Sequence, residues 1–227
     1  MTRCVRPDGT HYGTAGECRK GSEDPYKDWE RLAEGFMGTI DKSPDGTRVV
    51  KRLKEGREWG PHEVELQRKM GALGFSPRIF SHSPEHIEME MAKGKPLWAG
   101  FQKGDDEPVM NTAQAKEASK ALKALHKMGF FHGDMHSQQW LVNGNNVKLV
   151  DYGLSGKTSA EPVKALQDLA KIKKLINFDN PELQSDPYVA TVKRYSDAYS
   201  AIKGSSKAAK AEKERLAKEY LTEVKDL

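Results

Sequence analysis

The stretch FFHGDMHSQQWLVNGNNVKLVDYGLS, Phe130 to Ser155, carries two aspartates 17 positions apart. Asp134 follows His132-Gly133 and Asp151 precedes Tyr152-Gly153, so each carboxylate falls in a tight, glycine-bearing turn. A carboxylate in that setting can accept a proton or ligate a hard cation. Taken singly, each is a turn aspartate whose side chain caps local backbone. The run between them sets the pair apart. WLV and VKLV flank NGNN, whose residues accept unusual backbone angles, and this predicts a hairpin. A hairpin returns its ends to one place, so the two acids are brought together.

The elements that must position this hairpin follow from pattern. Residues 1–25 are rich in Gly, Thr and charge without a clear period, and read as an extended arm or a small hairpin. DWERLAEG, GTIDK and TRVVKRL then form a three-strand meander, with Pro44 and Gly46 at turn positions of SPDG. Pro61 suits a first helical turn, and HEVELQRKMGALG spaces Val64, Leu66, Met70 and Leu73 helically before Gly74 ends the helix. RIFSH and HIEMEMA are two further strands, and KGKPLWAGFQKG is a glycine-containing link. From Thr112 the chain is mostly helical. TAQAKEASKALKALHKMG precedes the hairpin, and EPVKALQDLAKIKKLI, DPYVATVKRYSDAYSAIK and the segment from Ser205 to Leu227 follow it.

Composition excludes several classes. With 37% hydrophobic residues in 227, the chain can bury one large core or two small lobes sharing a cleft. Lys and Arg outnumber Asp and Glu by only 37 to 33, short of a nucleic-acid-binding face. The last helix looks basic, yet from Lys203 onward seven Lys or Arg meet five Asp or Glu, as on a solvated helix with intrahelical pairs. No apolar run is long enough to span a membrane and MTRCVRPDGT has no apolar leader, so a soluble, cytoplasmic protein is expected. Cys4 and Cys18 cannot make a disulfide framework, and with His11 they fall short of a closed tetrahedral zinc site.

The order of these parts resembles that of protein kinases and their relatives, from about Trp29 to about Ile176. AEGFMGTI resembles the glycine-rich loop, with Gly35 and Gly38 as second and third glycines and Ala33 in place of the first. RVVK resembles the third-strand motif, HIEMEMAKG the hinge, HGDMHSQQ the catalytic loop and DYG the metal-binding Asp-Phe-Gly. The resemblance implies an α+β, two-lobed fold. After an arm at 1–25 come a small five-stranded antiparallel N-lobe with one helix at 26–93 and a reduced helical C-lobe at 94–227.

It also implies ATP with Mg2+ or Mn2+, and roles for particular residues. Lys51 would hold the nucleotide phosphates, oriented by Glu63; Glu65 lies close enough that a helix rotation exchanges them. Strand alternation puts Val49 on the face of Lys51. Ile40 and Val49 would cover adenine, Leu141 would underlie it, backbone groups of Glu90 and Ala92 would meet its edge, and Met89 would limit its size. Asp151 would bind the metal ions, and Asp134 would orient the attacking hydroxyl and accept its proton. His136 stands where aminoglycoside and choline kinase relatives often carry histidine, within reach of the transferring phosphate; a satisfied structural histidine is the alternative. Gln139 replaces the asparagine that holds a second metal.

Further departures narrow the expectation. Gly133 replaces the arginine that reads a phosphorylated activation loop, so activation-loop control is not expected. Only 16 residues separate Asp151 from Asp168, which resembles the helix aspartate that steadies the catalytic loop, and no Ala-Pro-Glu anchor intervenes. Rio-type and tRNA-modification-associated kinases are similarly short. The chain has little room for the helical insert with which small-molecule kinases wrap their substrates, which favours a protein acceptor and a minimal serine/threonine kinase. An aminoglycoside-kinase-type enzyme and a nucleotide-binding pseudokinase scaffold are the alternatives, the latter favoured by Gln139 and Ala33. GTAGECRKG resembles short cysteine-containing segments of bacteriophage virion proteins, implying a phage-encoded kinase.

Overall fold

A computed structural model of the protein describes residues 3–5, 11–14, 24–97 and 109–227. Strands β1 (Arg3–Val5) and β2 (His11–Thr14) pair antiparallel as a sheet of their own. The cysteine-bearing stretch Ala15 to Gly21 lies outside the described residues, and with it the zinc and phage readings.

The next segment builds an antiparallel sheet from β3 (Glu30–Glu34), β4 (Gly38–Lys42) and β5 (Arg48–Leu53), then, after helix α1 (Glu63–Ala72), from β6 (Ile79–His82) and β7 (His86–Glu90). The strand order is β3-β4-β5-β7-β6. The β4–β5 turn is fixed by Asp45, which accepts from the Ser43 hydroxyl at 2.6 Å and the Thr47 amide at 3.0 Å, and by Gly46 at φ 70°. These donors draw the Asp45 carboxyl down to about 2. Helix α1 carries Glu63 and Glu65 in its first turn, where the helix dipole favours acids, and ends before Gly74 at φ 82°.

The second lobe follows β8 (Lys95–Pro96). Helix α2 (Thr112–Lys127) opens with a reciprocal cap between Asn111 and Gln114, and buries Ala115, Ala118, Leu122 and Leu125 along one stripe. After β9 (Phe130–Phe131), β10 (Trp140–Asn143) and β11 (Asn146–Leu149) form the hairpin, turning at Gly144 with φ 59°. β8 pairs with β10, stitching the link between lobes to the hairpin. Strand β12 (Gly156–Lys157) pairs with β9, and helices α3 (Pro162–Ile172), α4 (Pro181–Gln184), α5 (Pro187–Ala201) and α6 (Lys207–Asp226) complete the chain. Trp140, Leu149, Leu166, Leu169, Val189 and Tyr220 share one buried core, into which Leu66 and Met70 of α1 reach from the first lobe. Each such aliphatic side chain contributes about 1.5–3 kcal/mol on burial.

The join between lobes is also polar. Phe75 O accepts from Leu149 N at 2.8 Å. The Ser76 hydroxyl, fully buried, donates to Leu149 O at 2.7 Å and meets the Tyr152 hydroxyl at 2.6 Å. Burial holds the Tyr152 phenol well above its usual pKa, so it stays protonated. Ser76→Ala strands that phenol without its partner, and urea denaturation should show a loss of about 1–3 kcal/mol. An unchanged midpoint would mean the contact does not couple the loop to the hairpin.

Candidate active site

The site is organised around two buried side chains. Asp168 of α3, 1% exposed, accepts from the backbone amides of His132 at 2.7 Å and Gly133 at 3.1 Å, with His126 Nε2 at 3.4 Å from the same carboxylate. His132, also fully buried, accepts on Nδ1 from the Asp134 amide at 3.3 Å and donates from Nε2 to Val150 O at 3.0 Å. One imidazole thus joins the turn bearing Asp134 to the turn bearing Asp151. Both ring nitrogens are used as in a neutral tautomer. Burial holds its pKa below the usual histidine value, against the pull of Asp168, Asp151 and Asp134.

Gly133 sits at φ 84°, and a Cβ placed there would lie 2.3 Å from Leu154 O. The arginine expected by analogy is therefore excluded sterically, because no side chain fits.

Lys51 of β5 places Nζ 2.6 Å from Glu63 Oε1 and 3.0 Å from Asp151 Oδ1. The other Glu63 oxygen accepts from the Gly60 amide at 3.2 Å. Glu65 turns away to Lys69 at 2.6 Å. Burial opposes the Lys51 charge, but Asp151 and Glu63 outweigh it and hold the ammonium above its usual pKa. Burial likewise opposes the Asp151 charge, and Lys51 outweighs it to hold the carboxyl below its usual value. Asp151 adopts φ 63°, the one positive φ at a non-glycine among the described residues. Asp and Asn tolerate this region better than most residues, so Asp151→Asn removes the charge with little backbone strain.

Asp134 is partly exposed and stands with His136 and Gln139. Its Oδ2 accepts from Gln139 Nε2 at 3.2 Å and lies 3.4 Å from His136 Nε2. His136 Nδ1 accepts from the Gln138 amide at 3.3 Å, capping the short 3-10 turn Ser137–Gln139, and its Nε2 faces Asp134 and lies 3.2 Å from Gln139 Nε2. The Gln139 amide nitrogen is directed at Asp134, which leaves its oxygen as the atom able to meet a cation. Among the described residues no three acidic, histidine or cysteine side chains cluster as a metal site. Asp151 supplies a half-exposed carboxylate, and this donor set fits a hard cation whose remaining ligands are phosphate oxygens and water.

Most of the remaining candidates lie on or beside the five-stranded sheet. Ile40 pairs across β4–β5 with Lys51, and Val49 pairs across β5–β7 with Met89, so Ile40, Val49, Lys51 and Met89 share one face. Glu90 ends β7 with its carboxylate near the Arg78 amide, Ala92 follows two residues on, and Leu141 of β10 pairs with Pro96. Gly35 and Gly38 flank the β3–β4 loop and differ. A Cβ on Gly38 would collide with Arg52 O, whereas one on Gly35 meets nothing within 4 Å. The fold itself therefore demands glycine at 38, and nothing in the fold demands it at 35. Phe36 at the loop tip is exposed, with the Arg57 guanidinium 4.0 Å from its ring centre.

Sequence reading did not single out Ser76, His126, Gly60 or Tyr220. Gly60 must approach Gly153, since a Cβ there would lie 2.3 Å from Gly153 O, and its own amide orients Glu63. A Gly-Pro pair before a helix was the only available signal.

Comparison with known proteins bears on the fold. A family model described as lipopolysaccharide core biosynthesis protein (WaaY) matches residues 100–194, which include both aspartates. A probable bifunctional tRNA threonylcarbamoyladenosine biosynthesis protein of Methanocorpusculum labreanum is 29% identical over 138 residues, 57% of this chain and 24% of that protein. Its namesake in Methanothermobacter thermautotrophicus is 24% identical over 168 residues, 73% of this chain and 28% of that protein. The chain thus spans about a quarter of the length of these relatives. Among solved structures, the Rio2 kinase from Chaetomium thermophilum, in an ADP/Mg2+-phosphoaspartate complex, superposes with a TM-score of 0.50 at 14% identity, over 84% of this chain and 70% of that one. The fold is kinase-like, an antiparallel five-stranded lobe with one helix followed by a helical lobe.

The depressed pKa of His132 sets a pH dependence. The unfolded chain binds a proton there that the folded chain refuses, so this ring's contribution to stability falls as pH drops below the unfolded value of 6.5. His82 and His86 are shifted the same way and add to the slope. His132→Gln should remove one proton's share, at most about 1.4 kcal/mol per pH unit, from the slope between pH 7 and 5. An unaltered slope in urea denaturation would show that the ring titrates alike in the folded and unfolded chain.

Proposed function

We propose that the protein is an ATP-dependent phosphotransferase that passes the γ-phosphate to a serine or threonine hydroxyl of a protein. The observation that carries this reading is the suspension of Lys51 between Glu63 and Asp151, one imidazole's span from the turn of Asp134. Phosphoryl transfer asks a protein mainly for positioning and for charge around the phosphates.

In this reading ATP lies against the face of Ile40, Val49 and Met89, with its edge at the backbone of Glu90 and Ala92 and its other side at Leu141. Lys51, fixed in direction by Glu63, meets the phosphates. Gly35, whose missing side chain the fold does not require, leaves the loop backbone free to approach them. Asp151 would hold a divalent cation, which would supply positive charge to offset that of the phosphates. Asp134, held by Gln139 and His136, orients the acceptor hydroxyl and takes its proton as the hydroxyl oxygen bonds to the γ-phosphorus and the bond from that phosphorus to the β–γ bridging oxygen breaks, releasing ADP. His136 in this arrangement positions Asp134 through Nε2.

The match to a lipopolysaccharide core biosynthesis family over 100–194 supports a second reading, in which the acceptor hydroxyl belongs to a sugar. Gln139 favours a third, a nucleotide-binding scaffold, because its amide nitrogen is engaged with Asp134.

Titration of Mg2+ and Mn2+ against labelled ATP and a generic protein acceptor separates these readings. Asp151→Asn should abolish transfer, at least about 100-fold, while Gln139→Ala should lower it less and raise the metal requirement. Wild type inactive with both metals while Gln139→Asn transfers phosphate would identify a scaffold disabled at this position.

A further inference from the structure

Beside the turn of Asp134 opens a groove of about 440 Å3, lined by His62, Phe131, Gly133, Leu154, Lys157 and Lys164. Lys157 ends β12 and Lys164 lies in the first turn of α3, and neither has a carboxylate partner among the described residues. Lys171, seven residues beyond Lys164 and so two turns along the same face of α3, donates to Gly133 O at 3.3 Å, on the residue preceding Asp134. Lysines therefore run from the groove toward the turn of Asp134, with Asp168 between Lys164 and Lys171 on the same helix face but buried and committed to the His132 and Gly133 amides. Glu161 is the single acid lining the groove, and it is exposed. Leu154, 65% exposed, forms an apolar rim. Neighbouring unpaired cations repel one another, and a bound polyanion relieves that repulsion.

We propose that this groove docks an acidic segment of the protein acceptor, its carboxylates on Lys157 and Lys164. Delivery of the acceptor hydroxyl to Asp134 from there rests on the phosphotransferase reading; the docking does not. The groove's charge and its place beside the Asp134 turn make it a selector of sequence around the modified residue.

Fluorescently labelled peptides with a central serine flanked by aspartates, alanines or lysines test this by anisotropy with the full chain, independently of ATP turnover. The aspartate peptide should bind on the order of tenfold tighter than the alanine peptide, and Lys157→Glu with Lys164→Glu should abolish or invert that preference. The milder pair Lys157→Ala with Lys164→Ala should reduce it, which guards against a folding defect in the reversed variant. Equal binding of the peptides, or a preference unchanged in both variants, overturns the proposal. So does displacement of the aspartate peptide by glucose 1-phosphate at comparable concentration, which would assign the groove to a sugar phosphate. Charge-dependent binding with no phosphate transfer to the bound peptide would sustain the docking site and contradict the phosphotransferase reading instead.

Discussion

The buried carboxylate of Asp168 anchors the site. An ionised carboxylate removed from water costs several kcal/mol unless donors replace the solvent. Here the amides of His132 and Gly133 and the imidazole of His126 do so, and in being used this way they fix the backbone on which Asp134 sits. His132 carries the constraint on to Val150 and hence to Asp151. The bonding continues outward from His126, whose Nδ1 meets the Tyr220 hydroxyl at 2.6 Å, with Tyr188 at 3.0 Å beyond. Burial holds both phenols above their usual pKa, so each stays a donor, and a consistent proton order runs from Tyr188 through Tyr220 and His126 to Asp168. Helices α5 and α6, distant from Asp134 in sequence, thereby help to hold the loop that carries Asp134.

On the other side of the cleft the constraint is electrostatic. Lys51 stands between two carboxylates, so its position is held by the fold itself. Glu63 is itself oriented by the Gly60 amide, and Gly60 in turn packs against the backbone of Gly153 beside Asp151. The ion pairs and this close backbone approach tie α1, β5 and the Asp151 turn into one unit. A preorganised charge of this kind needs little rearrangement during reaction, which is what phosphoryl transfer rewards.

Much of the two-lobed fold was legible in the sequence because its signals are local. Alternation in TRVVKRL, the small-residue stripe of TAQAKEASKALKALHK and the turn chemistry of NGNN each specify an element without reference to distant residues. The two aspartates were legible for the same reason, since the hairpin between them is written in adjacent residues. The network beneath them was not. His126 and Tyr220 are 94 residues apart, and Ser76 and Tyr152 are 76 apart; a buried polar contact of that span leaves no periodic trace. Gly133 shows the limit of analogy most plainly: comparison of motifs registers a missing arginine, whereas the backbone shows a position where the Leu154 carbonyl admits no side chain.

The central claim is that Asp134 and Asp151 serve one transfer centre with separate duties, and single-turnover transfer of labelled γ-phosphate by wild type and Asp134→Asn tests it most directly. ATP affinity, measured in parallel by equilibrium dialysis, should be unchanged within about twofold in Asp134→Asn while the transfer rate falls at least about 100-fold. Transfer at the wild-type rate by Asp134→Asn, or an equal loss of ATP binding and transfer, would contradict the account.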